Sequence, residues 1–266
     1  MDKNDVDFSN RICNIIPSKN VERDWSYGAA IGAAAMVEPD VVPDSVDLRQ
    51  PWWTINDQGD TGSCVGWATA DGVVRYHMVK AGRLDPSALL SARFVWMASK
   101  ETDEYTDRPE TFIEKAGTSL KAALDICRNY GVVPADLLPL EIHTLMFPGD
   151  IDIFFATAAQ RKINSYYNLR KNTEDWKKCL ATHGPVLTAL KIDATWRNAA
   201  HTGGQLDVFQ PDTVKGSHSI CIVGYTRDRF IIRNSWGKSW GHEGFGYASQ
   251  QYITDAFFDE AYSVTV

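Results

Sequence analysis

The chain has 266 residues, 44% of them hydrophobic and 23% charged, which is enough apolar material to build one large globular domain or two small lobes. A net charge of −7 with no basic run argues against nucleic acid or an anionic membrane surface as partner. No stretch approaches the roughly 18 apolar residues of a membrane span, and five cysteines without a CxxC spacing point to neither a disulfide framework nor a zinc site.

The first residues are acidic (Asp2, Asp5, Asp7) and carry no signal-peptide pattern, so a reducing, cytoplasmic setting is expected. Residues 1–40 mix charges, Pro17 and a small-residue patch from Gly28 to Ala35 without a sustained period, and read as an arm. Its bulky residues Ile12, Ile15, Ile16, Trp25 and Tyr27 require a surface to lie on. Either that surface is a functional cleft, which would make the arm a latency segment, or it is the back of the domain, which the arm would brace. The main domain is placed at 41–266.

Between Asn56 and Gly62 the chain is built of turn and breaker residues. After Cys64 come Val65, Ala68, Ala70, Val73, Val74 and Val79, which predict a helix running to Lys80 with Gly82 as its stop. A thiol in the first turn of a helix lies near unsatisfied N–H groups and the positive end of the dipole, and both favour the thiolate. Cys64 is therefore a candidate nucleophile. The Gln58 side-chain amide and the backbone N–H of Cys64 are two donors suited to a developing oxyanion.

Further helices are expected over Pro86–Ser99 and over Thr118–Tyr130, the second capped by Thr118 and ended by Gly131. Glu174–His183 gives a short helix stopped by Gly184-Pro185. From there the period is two, with strands over 186–192, 218–225, 229–233, 244–248 and 261–266, and a turn at 226–228 joining a hairpin. The fold class is α+β, with a helical lobe over about 50–150 and a β-rich lobe over about 155–266.

A cysteine nucleophile needs a base to share its proton, and histidine suits because it titrates near neutrality. His218 opens a strand, and Asn234 follows sixteen residues later, so a hairpin can set the two side by side. The Asn234 carbonyl can hold one ring nitrogen while the other faces the thiol, and Trp236 is suited to shield that hydrogen bond from water. His77, His143, His183, His201 and His242 lack such neighbours and read as surface or packed residues. No HExxH, phosphate loop or paired-carboxylate pattern occurs, and nothing implies a metal or organic cofactor.

Four blocks, in order, resemble the papain-like cysteine peptidases: Pro43-Asp44-Ser45-Val46-Asp47-Leu48-Arg49, Gln58-Gly59-Asp60-Thr61-Gly62-Ser63-Cys64, Gly216-Ser217-His218 through Gly224-Tyr225, and Asn234-Ser235-Trp236-Gly237 through Gly244-Phe245. The resemblance runs from about Val41 to the C-terminus, looser over 97–117 and 141–155, and the pattern is nearest to bacterial members. It implies a two-lobe fold with a β-barrel-like second lobe and the active-site cleft between lobes. It also implies a polypeptide substrate, Cys64, His218, Asn234 and Gln58 as catalytic residues, and contacts to substrate from Gly117, Ser217, Ser219 and Trp236. Gly117 stands where the family has paired glycines, here with Ala116 before it. Ser217 and Ser219 lie where the family lines its main specificity pocket, whose floor Asp259 or Glu260 can reach; an apolar side chain, with some tolerance for a basic one, is expected there.

The chain departs from the family in having Thr61 in place of a disulfide cysteine, and Val65 followed by Trp67 in place of a tryptophan directly after the nucleophile. The long helical propeptide of secreted relatives is absent. Hydrolysis of peptide bonds through a thioester is the leading reading. Transamidation or peptide ligation through the same intermediate, and a binding homologue without turnover, are the alternatives.

Overall fold

The computed structural model describes residues 10–102, 117–141 and 149–266. His143 and most of the two loosely matching stretches lie outside the described residues.

The helix that begins at Cys64 is built from small and β-branched residues, and nearly every one of them is buried, so it is a central helix rather than a surface one. It runs as α2 (Cys64–Gly66), a π-helical segment (Trp67–Val74) and α3 (Arg75–Lys80). Glycines set its closest approaches. A β-carbon on Gly66 would lie 2.2 Å from the Ala92 carbonyl oxygen, and one on Gly72 would lie 2.3 Å from Cys221 Sγ. The helix is thus wedged between α4 (Ala92–Thr102) and β5 (Gly216–Tyr225), the strand that carries His218. Within the π segment the Asp71 carbonyl accepts from Trp53 Nε1 at 2.7 Å, and its carboxylate is sealed between Arg75 at 2.8 Å and Arg233 at 2.5 Å.

α5 (Leu120–Asn129) packs on α4, and α6 (Ile151–Ala159) completes the helical lobe. Two helix starts differ from expectation. α4 opens at Ala92 rather than Pro86, because Asp85 holds a turn through Ser87 and Leu90 bridges to Pro134. α5 is capped by Ser119, whose Oγ accepts from Ala122 N–H, while the carbonyl of the expected cap, Thr118, accepts from Ile16 N–H.

The second lobe is one eight-stranded sheet. β5 is flanked by β3 (Val186–Ile192) and β6 (Arg229–Arg233); β7 (Phe245–Ser249) and β4 (Gln205–Leu206) extend one side, β8 (Phe257–Thr265) and β2 (Ser165–Asn168) the other, and β1 (Val46–Asp47) pairs with the far end of β5. Among the described residues the path does not close, because β2 and β4 end it without pairing to each other; the α+β, papain-like two-lobe class stands as expected, with the barrel-like second lobe left open. α7 (Thr173–Thr182), α8 (Ala194–Asn198) and α9 (Gln250–Ala256) pack around it.

The arm does two things. Its α1 (Tyr27–Gly32) inserts Tyr27 and Ala30 into the second lobe's core beside Trp176, while its earlier residues run between the lobes. Trp25, expected to need a surface, is 68% exposed.

Candidate active site

The loop before Cys64 is held by backbone bonds that do not depend on side-chain identity. Gln58 N–H donates to the Ser235 carbonyl at 2.8 Å and Gly237 N–H to the Asn56 carbonyl at 3.1 Å, which stitches the loop to the segment after Asn234. Thr61 takes over part of the tethering that a disulfide would provide: its hydroxyl donates to the Gln58 carbonyl at 2.7 Å and lies 2.6 Å from Ser63 Oγ. The Gln58 amide is fixed at both ends, accepting from Ser235 Oγ at 2.8 Å and donating to the Thr61 carbonyl at 3.0 Å. That leaves its second N–H to face the site.

His218 and Asn234 come together as the hairpin requires, with His218 Nε2 and Asn234 Oδ1 at 2.7 Å. Trp236 covers the pair, its ring centroid 4.8 Å from the imidazole, and Trp196 meets the imidazole edge-on at 5.9 Å. His218 Nδ1 is buried without a protein hydrogen-bond partner. Cys64 is fully buried, and its thiol lies against the backbone N–H of Ser219, next in sequence to that imidazole. Of the predicted residues, Gln58, Cys64, Ser217, His218, Ser219, Asn234 and Trp236 are all buried in this one region.

The thiol's acidity differs from expectation. Burial pushes Cys64 up to about 11, and the amides of Ser219, Val65 and Cys64 itself offset this only in part. Burial likewise pulls His218 down to about 4 against the Asn234 hydrogen bond, and the guanidinium of Arg11 adds to that depression. Both shifts act against the thiolate–imidazolium pair, burial being the first cause at each group.

The sequence offered the cleft and the back of the domain as surfaces for the arm; residues 13–16 lie in the cleft, along a path the sequence did not specify. Asn14 forms a parallel bridge with Ser217, Ile15 N–H donates to the Ser217 carbonyl at 3.4 Å, Ser217 N–H to the Cys13 carbonyl at 3.2 Å, and Ile16 N–H to the Thr118 carbonyl at 3.2 Å. Gly117 borders the same strand, for a β-carbon there would sit 1.9 Å from the Asn14 carbonyl oxygen. Arg11 is clamped to both Asp57 oxygens, at 2.5 and 3.0 Å, and to the Gly59 carbonyl at 2.9 Å. Further on, Ser18 Oγ donates to Glu260 Oε1 at 2.7 Å, and Asp24 accepts from Tyr262 Oη at 2.7 Å and pairs with Lys121. The signal was the set of bulky arm residues, of which Ile15 and Tyr27 are buried. Ser235, the anchor of Gln58, was legible as part of the Asn-Ser-Trp-Gly block, whereas Trp196 carried no motif. Among the described residues no cluster of three or more His, Cys, Asp or Glu side chains is placed to hold a metal ion, and no helix is long and apolar enough to cross a membrane.

Comparison with known proteins agrees with this geometry. Macrodontain-1 of Ananas macrodontes is 27% identical over 208 residues, covering 77% of this chain and 87% of that protein. Fruit bromelain of Ananas comosus is 28% identical over 214 residues, of which this chain spans only 54% of the length. The crystal structure of xylellain, a cysteine protease from Xylella fastidiosa, superposes with a TM-score of 0.78 at 20% identity over 97% of both chains. The family model described as papain family cysteine protease matches residues 42–260, and the chain belongs to that family.

Proposed function

We propose that the chain is a working cysteine peptidase held latent by its own arm. In the open enzyme His218 takes the Cys64 proton, the thiolate attacks the substrate carbonyl, and the oxyanion rests on the Cys64 N–H and the free N–H of Gln58. The imidazolium, oriented by Asn234, then protonates the leaving amine, and water resolves the thioester with His218 as base. Gly117, Ser217 and Ser219 flank the substrate backbone, and Trp236 keeps the Asn234–His218 bond dry.

The observation that carries this reading is the arm itself. Residues 13–16 are an extended peptide hydrogen-bonded into the groove beside Cys64 and His218. A groove that binds its own backbone this way is shaped for a polypeptide. In this reading latency comes from the arm occupying the groove, and the Arg11 cation adds to what opposes an imidazolium at His218. Glu260 is the carboxylate beside the arm; Asp259 points outward and is exposed. An apolar side chain with tolerance for a basic one remains the expected preference of that subsite. Five free thiols favour a reducing, cytoplasmic place of action.

The test is labelling by an epoxide thiol inhibitor and turnover of a peptide library, before and after removal of residues 1–40. Gain of labelling that Cys64→Ala abolishes supports the reading. Absence of labelling in a folded truncated form refutes it. Mass spectrometry of products formed with added amine separates hydrolysis from aminolysis.

A further inference from the structure

The carboxylate of Asp57 is held in place by its own loop. Its Oδ1 accepts from Gly59 N–H at 2.8 Å, its backbone bridges antiparallel to Trp236, and a β-carbon at Gly237 would lie 2.9 Å from Oδ2. The neighbouring stitches, Gln58 N–H to the Ser235 carbonyl and Gly237 N–H to the Asn56 carbonyl, likewise involve no arm residue. Onto this loop the arm lays one guanidinium. Arg11 Nη1 donates to Asp57 Oδ1 at 2.5 Å and to the Gly59 carbonyl at 2.9 Å, while Nη2 donates to Oδ2 at 3.0 Å. The Arg11 side chain is only 10% exposed, so it sits inside a receptor rather than across a surface.

That receptor opens on the cleft. Arg11 lines a cavity of about 180 Å³ together with Trp196 and Trp236, the rings that contact His218. From there the arm runs past Ser217 and Gly117 to the contact between Ser18 and Glu260. Because His218, under Trp236, protonates the leaving amine in the mechanism above, the Asp57 end of this path is the leaving-group end. Three more charged groups line the cavity. Asp193 is buried and its carboxylate already accepts from Thr195, Gln210 and Tyr252. Arg197 and Lys215 oppose a further cation, but both are exposed and screened by solvent. A guanidinium is held against that opposition because its planar fork meets both carboxylate oxygens at once, which the point charge of an ammonium does not.

We propose that Asp57 and the Gly59 carbonyl form a guanidinium subsite on the leaving-group side of the cleft. Arg11 fills it in the latent chain, and in the open enzyme an arginine of the polypeptide substrate takes its place. The exchange asks for no rearrangement of Asp57, whose loop contacts do not include the arm. Arginine should be favoured over an uncharged residue of the same shape by about tenfold in kcat/KM, the scale of a bidentate, partly exposed charged pair. Lysine should gain less.

This subsite rests on the latent peptidase reading, so the first readout uses binding alone. Full-length Arg11→Ala, in which the subsite is emptied, is titrated with N-acetylarginine amide and with its uncharged isostere N-acetylcitrulline amide, followed by tryptophan fluorescence. Saturable binding of the arginine amide, about tenfold weaker for the citrulline amide, supports the proposal. So does its loss in the wild type, where Arg11 is the competitor, and in Arg11→Ala/Asp57→Asn, which keeps an acceptor for Gly59 N–H and removes the charge. No binding to Arg11→Ala, equal binding of the two amides, or binding that survives Asp57→Asn overturns it. The second readout is kcat/KM of full-length Arg11→Ala for peptides carrying arginine or citrulline on the leaving-group side. Amide binding without cleavage of any peptide would leave the subsite standing and refute the peptidase reading. Cleavage with no advantage for arginine would overturn the subsite and leave the peptidase standing.

Discussion

Truncating one arm residue should open the enzyme by a calculable amount. Ile15 is 6% exposed and belongs to the first lobe's core cluster. Ile15→Ala removes about three methylene equivalents at about 0.8 kcal/mol each, and incomplete relaxation of the space left behind brings the loss to about 2–3 kcal/mol. The backbone bonds to Ser217 and Thr118 survive the change, and so do the Arg11 clamp and the Ser18 and Asp24 anchors, so the arm still docks. Because every 1.4 kcal/mol is tenfold, the open fraction should rise about 30–150-fold. The assay is the pseudo-first-order rate of Cys64 labelling by an epoxide inhibitor, which tracks that fraction while opening and closing are fast. A Leu124→Ala variant, truncated at a fully buried position on α5 rather than on the arm, controls for general destabilisation. Faster labelling in Ile15→Ala but not in Leu124→Ala is expected. Equal labelling in both, with similarly lowered Tm, would refute the claim that the arm gates the site.

Cys64→Ser or His218→Ala should abolish turnover of a fluorogenic peptide by the truncated enzyme, while Gln58→Ala and Asn234→Ala should leave a measurable remainder after losses of about 10²–10³ in kcat; wild-type turnover in Cys64→Ala would end the mechanism. Asp71→Asn should lower stability by about 3–5 kcal/mol in denaturant titration, because it leaves the Arg75 and Arg233 cations buried without their anion. Glu260 reports on pH: burial pushes it up to about 7, with the Ser18 hydrogen bonds only partly offsetting this. A carboxyl whose folded pKa is raised gives its stability in full below the unfolded value and loses it as pH rises through about 7. Glu260→Gln should therefore match the wild-type Tm near pH 4.5 and exceed it progressively up to pH 8, by about 3 kcal/mol in stability; parallel Tm curves would show that Glu260 is not held as the neutral acid.

What was legible in the sequence is what chemistry writes locally. The β5–turn–β6 hairpin was legible as two apolar runs about a short polar turn, and with it the nearness of His218 to Asn234, although both strands are buried on both faces and a shift between Ile222 and Gly224 breaks their register. Helix starts were less secure because capping is decided by a single side chain in competition. Ser119 caps α5 one residue later than expected, and the Thr118 carbonyl receives the N–H of Ile16, a contact more than a hundred residues away in sequence. The π segment had no signal: it depends on an Asp71 carbonyl turned toward Trp53, which no periodicity encodes. Glu260 and Asp259 could not be told apart until the strand's parity was known.

The nucleophile's acidity shows most clearly where local reading fails. A helix start and three amides do pull the Cys64 thiol toward ionisation, as the sequence implied, but those are effects of about 1 kcal/mol near a surface, and burial outweighs them. The buried cluster that holds Cys64 also takes in Ile15 of the arm, about fifty residues upstream. Acidity at Cys64 is therefore a property of what packs around the helix start as much as of the helix. Arg11 makes the point a second time, because a cation that is distant in sequence lowers the pKa of His218. Burial by the arm and the Arg11 charge both act against the thiolate–imidazolium pair, so removing the arm changes the charge state of the dyad as well as access to it. A truncated enzyme should show a labelling rate that rises at lower pH than the rate of the full chain. If the two profiles differed only in height, the arm would be acting as a lid alone.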